Sequence, residues 1–264
     1  MSIGEQSEHV DEYPEGMVAL LELIWGKGYM APGGPGNVAR MLGGIDTHGK
    51  RLLDIGCGIG GPAFEMARTF GAIVTGIDLE APLIERARTS ARELGLNSQC
   101  TFQTVEPGPL PFADGSFDIV ISAGAFTQTD DKPAMLGEAF RVLGPGGHLS
   151  CYEWFRGDEG GYSPDMRHWF ELEGLTYAMV TLDAYREQFH KAGFVDVVAN
   201  DATDWYRREA RREYELMRGP LYPRLIDLLG ADEADRYVED WRAMVVVIDK
   251  GEMRQGYCRG RRAG

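Results

Sequence analysis

A cluster of glycines and two carboxylates mark the stretch of this sequence that could do chemistry. Gly56, Gly58 and Gly60 occur in the run LLDIGCGIGG, where they follow the hydrophobic residues around Asp54, and Asp78 ends the next hydrophobic segment. The spacing fits G-x-G-x-x-G, in which the backbone approaches a ligand closely, and a carboxylate after the second strand accepts hydrogen bonds from ribose hydroxyls. The residues alone therefore predict a nucleotide-type cofactor at this loop.

Two further features discriminate between possible cofactors. Glu106 follows the third hydrophobic segment and precedes LPFADGSFD, and a Pro-Gly-Gly turn occurs in RVLGPGGHL, residues 141–149. Binding of a pyridine nucleotide would explain only the glycines and Asp78. Together with Asp54, and in this order, the features resemble class I S-adenosylmethionine-dependent methyltransferases across residues 35–203.

The resemblance implies S-adenosylmethionine as the cofactor and S-adenosylhomocysteine as the product. The cofactor carries no phosphate, so the glycines would let the backbone approach its methionine end, while Asp54 orients the loop and the cofactor's ammonium. Asp78 would hold the ribose. The other implied cofactor contacts are Leu79 at the adenine face, Glu106 at the adenine amino group, Ser122 in the fourth strand, and two N-terminal tyrosines, Tyr13 and Tyr29.

The segment DEYPEGMVALLELIWGKGYMAPGG is similar to the N-terminal lid of phosphoethanolamine methyltransferases. Tyr13 matches the catalytic tyrosine of that group, and Tyr29 matches a later tyrosine of the lid. Gln128 stands where the group has a histidine paired with the catalytic tyrosine. Glutamine cannot take up a proton, but it can hydrogen-bond a phenol and position it. We therefore assign Tyr13 and Gln128 to the catalytic site.

The same alignment changes the expected substrate. An arginine and a lysine that contact phosphate in that group become Leu175 and Met244, whereas an aromatic pair survives as Trp154 and Tyr177. An anionic headgroup without its cations would be poorly held, because charge-assisted hydrogen bonds are the strong ones. We expect these four residues to face a substrate other than phosphoethanolamine.

Two more residues are candidates for a base or an ion-pair partner. Glu153, near the end of the fifth strand, could accept a proton or pair with a cationic amine, or it could simply be a strand-end carboxylate that faces water. His168, in MRHWFE, could replace the missing histidine or lie on a helix surface. We predict no metal site, because Cys57, Cys100, Cys151 and Cys258 are scattered without a C-x-x-C motif.

These residues need elements that position them. From about residue 35, short hydrophobic segments alternate with helical patterns, which predicts an α/β fold with a doubly wound, mostly parallel, seven-stranded Rossmann-like sheet. The predicted organisation is an N-terminal helical lid, a cofactor-binding core, a helical cap inserted before the last strand, and the last strand with a tail, at residues 1–34, 35–203, 204–251 and 252–264.

Composition excludes other classes of function. The chain has 264 residues and a formal net charge of −14, which disfavours nucleic acid as a partner because such binding relies on neutralising phosphates. It has neither an apolar run long enough to span a membrane nor the basic and apolar regions of a signal peptide. We expect a cytoplasmic protein that binds a small-molecule substrate, and the sequence favours no particular oligomeric state.

The leading hypothesis is methyl transfer from S-adenosylmethionine to a small-molecule acceptor, which we expect to be an amine, by in-line displacement. A second hypothesis is C- or O-methylation of a neutral or apolar specialised metabolite. A third, from a different class, is a catalytically silent module that binds S-adenosylmethionine. A cofactor titration would separate all three from a protein that binds a pyridine nucleotide.

Overall fold

The structure, a computed structural model, describes residues 13–175 and 177–264, and in these residues seven strands form one sheet. The strand order is β3-β2-β1-β4-β5-β7-β6, with all pairs parallel except those that β7 makes with β5 and β6. The strands are β1 (Arg51–Ile55), β2 (Ile73–Asp78), β3 (Cys100–Thr104), β4 (Phe117–Ala123), β5 (Leu143–Arg156), β6 (Val195–Asp201) and β7 (Met253–Arg261). The predicted doubly wound, mostly parallel sheet is confirmed.

Helices cover both faces of the sheet. In the described residues they are α1 (Glu15–Trp25), α2 (Gly34–Leu42), α3 (Gly61–Phe70), α4 (Ala81–Glu93), α5 (Ala125–Gln128), α6 (Lys132–Val142), α7 (Pro164–Glu173), α8 (Leu182–Lys191), α9 (Thr203–Met217), α10 (Tyr222–Leu229) and α11 (Ala231–Asp249). No helix among them is long and apolar enough to cross a membrane.

Side chains that alternate along the central strands build a core on each face of the sheet. In β1, Leu52 packs in one cluster with residues of α2, α3 and α4, and Leu53 packs in the other with residues of α6 and α8. Both leucines are fully buried, as expected for a parallel strand covered by helices on both sides. Strand order reverses at β1, which lies between β2 and β4, so a crevice opens at the carboxyl ends of these strands.

A third hydrophobic cluster joins α1 to the helices outside the sheet. Leu20 of α1 packs with Trp169 of α7, Tyr206 of α9 and Val247 of α11. Buried Glu213 links the same helices, because it accepts hydrogen bonds from the indole Nε1 of Trp25 at 3.0 Å and of Trp241 at 3.1 Å. The lid, core and cap boundaries remain a prediction, and residues 1–12 of the predicted lid lie outside the described residues.

The fifth strand begins earlier than expected. The Pro-Gly-Gly turn predicted before it falls inside the range of β5, where Leu143 pairs with Phe117 and His148 pairs with Ile119. The extra residues between these pairs are accommodated by a register shift, at which Gly146 has a φ of +78°. Glycine adopts that backbone conformation without a steric penalty, so the turn is a bulge within the strand.

Two glycines of the motif serve packing within the chain. The backbone N–H of Gly61 donates to the carbonyl oxygen of Gly28 at 3.0 Å, and a Cβ on Gly61 would lie 2.1 Å from that oxygen. A Cβ on Gly60 would lie within about 3 Å of the rings of Phe64 and Phe102. The close approach predicted at this loop is therefore made in part by the turn after α1.

We expect Gly61→Ala to lower the free energy of unfolding by about 1–3 kcal/mol, because the added methyl group must displace the Gly28 carbonyl. Urea denaturation measures this. Gly137→Ala is the matched control, since Gly137 is exposed in α6 and its Cβ would contact nothing within 4 Å. It should leave stability unchanged or raise it by up to about 1 kcal/mol. Equal losses in the two variants would contradict the packing role of Gly61.

Candidate functional site

A cavity of about 850 Å³ lies at the carboxyl ends of β1, β2 and β4 and extends to α1 and to the segment after α7. The glycine loop between β1 and α3 forms part of its wall through Gly56 and Gly58. This is the crevice at which open α/β sheets bind their ligands. The volume is ample for a nucleoside-sized cofactor together with a small second molecule.

Asp78 organises the glycine loop and also faces the cavity. Its Oδ2 accepts a hydrogen bond from the backbone N–H of Gly58 at 2.8 Å, and its Oδ1 accepts one from Glu80 at 3.0 Å. Burial raises the pKa of Asp78, and these backbone donors oppose the rise. Each carboxylate oxygen can accept a further hydrogen bond, so the group can bind a ligand hydroxyl without releasing the loop.

Asp54 is the least satisfied carboxylate of the site. It is 1% exposed and lines the cavity, and its Oδ2 has no hydrogen-bond partner in residues 13–175 and 177–264. Burial, and then the nearby charge of Asp78, raise the pKa of Asp54 to about 7. A buried carboxylate oxygen without a partner is costly, so the site favours a ligand that supplies a cationic donor here.

The predicted adenine contacts lie at the rim. The side chain of Leu79 is 50% exposed although it lines the cavity, and Glu106 is also exposed there. An apolar side chain that projects into a cavity can pack against the face of a flat ring. Sequence reasoning missed Glu80, which follows Leu79, is buried and lines the same cavity.

The predicted catalytic pair meets at the opposite wall. Gln128 ends α5, and its Nε2 donates to the phenolic oxygen of Tyr13 at 3.0 Å, while Tyr13 lies just before α1. Both residues line the cavity. The hydroxyl of Tyr13 also lies 3.3 Å from Oε1 of Gln128, to which it can donate. The arrangement is therefore suited to orienting a nucleophile.

Glu153 does not line the cavity, which corrects the expectation that it contacts substrate. It is 2% exposed. Its Oε1 accepts from the Ser122 hydroxyl at 2.9 Å, and its Oε2 accepts from the backbone N–H and the hydroxyl of Thr127 at 2.9 and 2.8 Å. Burial raises the pKa of Glu153 to about 7, and these donors oppose the rise. Glu153 holds α5, and thus Gln128, against β5.

Ser122 is corrected in the same way. It is fully buried, its hydroxyl donates to Glu153, and it does not line the cavity. The sequence missed Thr127, the residue that links Glu153 to the catalytic wall. The hydroxyl of Thr127 also accepts a hydrogen bond from the backbone N–H of Trp154 at 3.0 Å. These residues act by positioning their neighbours.

The aromatic pair predicted to face substrate does line the cavity. The rings of Trp154 and Tyr177 have centroids 5.7 Å apart, and Leu175 lies beside them. Tyr177 donates a hydrogen bond to Oε1 of Glu173 at 2.8 Å. The three predicted residues therefore form one wall, and Glu173, which sequence reasoning missed, adds a carboxylate to it.

Four other predicted residues do not line the main cavity. Tyr29 is buried in the core beside α2, where burial raises its pKa to about 12, and Gly60 packs against phenyl rings. Met244 is buried in α11, and its sulfur accepts from the Tyr206 hydroxyl. His168 lies on the exposed face of α7 with its Nε2 3.4 Å from Oε1 of Glu239. The amphipathic pattern of α7 turns His168 outward, so it does not replace the missing histidine.

The charged side chains that line the cavity in the described residues are all acidic. In residues 13–175 and 177–264, no Lys, Arg or His side chain lines the cavity. Its ionisable acids are Asp54, Asp78, Glu80, Glu106, Asp130, Asp131, Glu138 and Glu173. Carboxylates gathered in a partly buried space favour a nearby cation and disfavour a nearby anion, so the wall attracts cations and repels anions.

Comparison with known proteins agrees with this geometry. Residues 52–147 match the methyltransferase domain family. The chain carries a class I S-adenosylmethionine-dependent methyltransferase domain. This finding confirms the family and the cofactor that the sequence predicted.

Named relatives resemble the chain well beyond that domain. Phosphoethanolamine N-methyltransferase 3 of Arabidopsis thaliana is 28% identical over 246 residues, which are 93% of this chain and 49% of that protein. The chain thus spans about half the length of such relatives. The 27-O-demethylrifamycin SV methyltransferase of Amycolatopsis mediterranei is 31% identical over 172 residues, 65% of this chain and 63% of that protein.

A solved structure shows the same fold. Phosphoethanolamine N-methyltransferase 2 of Haemonchus contortus, in complex with phosphomonomethylethanolamine and S-adenosylhomocysteine, superposes with a TM-score of 0.88 at 23% identity. The match covers 96% of this chain and 59% of that chain. The arrangement of strands and helices is therefore shared over nearly all of the methyltransferase domain and its flanking helices.

The residues at the glycine loop fit the cofactor of this class. S-adenosylmethionine carries an ammonium and a sulfonium, and buried Asp54, which lines the cavity, has an oxygen without a partner in the described residues that a cationic donor would stabilise. Asp78 retains acceptor capacity for hydroxyls. The site therefore offers suitable acceptors to the ammonium and to the ribose hydroxyls of the cofactor.

We expect Asp54→Asn to weaken S-adenosylmethionine binding about 10- to 100-fold, because a hydrogen bond to a charged group is worth about 1.5–3 kcal/mol. The protein without cofactor should be at least as stable to urea, since the substitution removes a buried charge. Isothermal calorimetry and urea denaturation measure the two effects. The control is Asp118→Asn, which alters an exposed carboxylate that pairs with Arg51. Unchanged cofactor affinity in Asp54→Asn would refute the assignment.

Proposed function

We propose that this chain transfers a methyl group from S-adenosylmethionine to a small-molecule amine by in-line displacement. The observation that carries the proposal is the charge of the cavity, in which no Lys, Arg or His lines the wall within the described ranges. An amine in its protonated form is drawn into such a space, whereas a phosphate is repelled. The named relatives that act on amines support the same reaction class.

The chain's own residues would hold the cofactor at one end of the cavity. Asp54 would accept from its ammonium, Asp78 would accept from the ribose hydroxyls, and Leu79 and Glu106 would flank the adenine. When bound, S-adenosylmethionine supplies an electrophilic methyl group on a sulfonium. The protein's task is then to hold donor and acceptor in line, which supplies much of the rate enhancement in such reactions.

Tyr13 and Gln128 would act on the acceptor. An amine attacks as a neutral nucleophile, so its ammonium form must first lose a proton, which the Tyr13 hydroxyl would relay to solvent. The phenol oxygen of Tyr13 can accept a hydrogen bond from the amine N–H and orient its lone pair. Gln128 fixes the phenol by donation from its Nε2 and takes up no proton itself. The same contact would position an amine that arrives already neutral.

Phosphoethanolamine itself fits poorly. Leu175 and Met244 occupy positions at which the resembling group places cations for the phosphate, and Leu175 lines the cavity beside Glu173. A phosphate there would meet a carboxylate without a compensating base in the described wall. The acceptor we propose is therefore an amine without a phosphate.

One observation favours a second candidate, O- or C-methylation of an apolar metabolite. Between Tyr13 and Trp154 the wall of the cavity is largely apolar, with Met17, Leu21 and Met30 from and just after α1. A relative that is 31% identical is named as an O-methyltransferase of a rifamycin. A catalytically silent module is the third candidate, and it is excluded by any conversion of S-adenosylmethionine to S-adenosylhomocysteine that depends on an acceptor.

We further propose that the protein acts in the cytoplasm on small molecules and does not bind nucleic acid. The four cysteines are buried and form no disulfide, which suits a reducing compartment. The net charge of −14 opposes association with polyanions. Sedimentation analysis would measure the oligomeric state of the protein.

The proposed function is tested with S-adenosylmethionine labelled in its methyl group and a pooled metabolite extract, followed by mass spectrometry. We expect the label on the nitrogen of an amine that carries no phosphate. A label on oxygen or carbon would favour the second candidate. A label on phosphoethanolamine would overturn the charge argument, and an absence of any labelled product would support a silent module.

We expect Tyr13→Phe to lower kcat about 100-fold, the lower end of the range for a positioned proton-transfer group. The dissociation constant of S-adenosylmethionine should change less than about 3-fold, since binding and chemistry use different groups. Steady-state kinetics and calorimetry measure the two effects. Tyr222→Phe is the control, because Tyr222 lies outside the cavity and bonds Asp235. An unchanged kcat in Tyr13→Phe would remove Tyr13 from the reaction.

A further inference from the structure

A small side cavity of about 20 Å³ adjoins the main cavity. The two share wall residues, among them Leu21, Trp25, Trp154 and Glu173, so these side chains form the boundary between the two cavities. Its volume is enough for one group about the size of a water molecule. An ammonium group has that size.

Two carboxyl groups meet at this side cavity. Glu173 of α7 and Asp240 of α11 lie within hydrogen-bonding range of each other and both line the side cavity. Two carboxyl groups can share a hydrogen bond only when one of them carries a proton. Burial raises the pKa of both groups, and repulsion between them raises that of Asp240 further. Tyr177, which donates to Glu173, adds no positive charge.

Asp240 also keeps an oxygen without a partner. It is 2% exposed, and in residues 13–175 and 177–264 its Oδ1 accepts no hydrogen bond. Buried carboxylate oxygens are normally paired, because an unpaired one costs its full desolvation energy. Asp240 lines the side cavity, and a hydrogen bond from the Trp169 side chain opposes the rise in the pKa of Asp240.

Four aromatic rings and three aliphatic side chains, Met17, Leu21 and Met244, form the rest of the wall. Trp25, Trp154, Tyr237 and Trp241 line the side cavity. The indole N–H groups of Trp25 and Trp241 are both taken up by Glu213, so these rings present carbon to the side cavity. Aromatic faces attract cations most strongly when water is excluded.

Arg236 acts on the carboxyl pair and is engaged by other partners. Arg236 opposes the rise in the pKa of both Glu173 and Asp240. Its guanidinium donates to Glu233 at 2.9 Å and to the carbonyl oxygen of Leu172 at 2.6 Å. It lines neither cavity. The carboxyl groups of Glu173 and Asp240 therefore remain available to a ligand in the side cavity.

We propose that the side cavity binds the ammonium at the far end of a diamine acceptor, between Glu173, Asp240 and the surrounding aromatic rings. The proposal rests on the proposed methyl transfer, because it assigns the non-reacting end of that acceptor. The reacting nitrogen lies at Tyr13 and is neutral when it attacks, whereas the distal nitrogen stays protonated. Entry of the distal ammonium displaces the proton that the two carboxyl groups share.

The test measures equilibrium binding to the protein saturated with S-adenosylhomocysteine, by calorimetry. The probes are α,ω-diamines of three to six carbons, each paired with the amino alcohol and the aminoalkyl phosphate of equal length. We expect the best diamine to bind at least 10-fold more tightly than its amino alcohol, and the phosphate to bind most weakly. Amino alcohols that bind as tightly as the diamines would overturn the proposal.

Matched variants locate the effect. Glu173→Gln and Asp240→Asn should each reduce the preference for diamine over amino alcohol to less than about 2-fold, with melting temperatures no lower than that of the unmodified protein, since each relieves carboxyl repulsion. Glu239→Gln, next to Asp240 but paired outward with Arg242 and His168, should keep the full preference. A preference that survives both inner substitutions would place the ammonium elsewhere and refute the site.

The two proposals can fail separately. One outcome is methyl transfer to a neutral acceptor together with equal binding of diamines and amino alcohols. This result would support the methyltransferase function and refute the ammonium site in the side cavity. A diamine preference that Glu173→Gln abolishes, without any methyl transfer, would support the side cavity and contradict the proposed reaction.

Discussion

The structure depends on the hydrogen-bond donors and cations that stabilise the carboxylates gathered at the carboxyl ends of the parallel strands. Asp54 lies one residue before the end of β1, Asp78 ends β2, and Glu153 lies near the end of β5. The chain satisfies Asp78 and Glu153 with its own backbone and hydroxyl donors. Asp54 keeps an oxygen unpaired within the described ranges, and so it is the group that a cationic cofactor would complete.

The enclosure of these carboxylates depends on α1 and the turn after it. Gly28 contacts Gly61 through backbone atoms alone. The carboxylate of Glu22 accepts a hydrogen bond from the N–H of Gly28 at 2.8 Å and pairs with Arg86 of α4 at 2.9 Å. Glu213 ties α1 to the outer helices. Low dielectric strengthens every charge interaction inside a space of this kind. The helices outside the sheet therefore make the acidic wall selective for cations.

Much of this could be predicted from the sequence. Strand ends follow from hydrophobic segments, so Asp54 and Asp78 were expected at the cavity, and the resemblance to phosphoethanolamine methyltransferases added Tyr13 and Gln128. All four line the cavity in the structure. The orientation of Glu153 could not be predicted, because it depends on Thr127, which belongs to another element. Glu173 and Asp240 were missed since they meet only when α7 packs on α11, although an acid beside Trp241 on an apolar helix face was an available signal.

The most direct test of the charge argument counts the protons exchanged when S-adenosylmethionine binds, by calorimetry at pH 6.5 in two buffers of different ionisation enthalpy. Asp54 has a pKa of about 7 without ligand and should ionise beside the cofactor's ammonium. Because a group with a pKa of about 7 is about three-quarters protonated at pH 6.5, we expect release of roughly 0.5–0.8 proton per chain, and none from Asp54→Asn. Binding without proton release, or equal release from the variant, would contradict the claim that Asp54 ionises beside the ammonium of the bound cofactor.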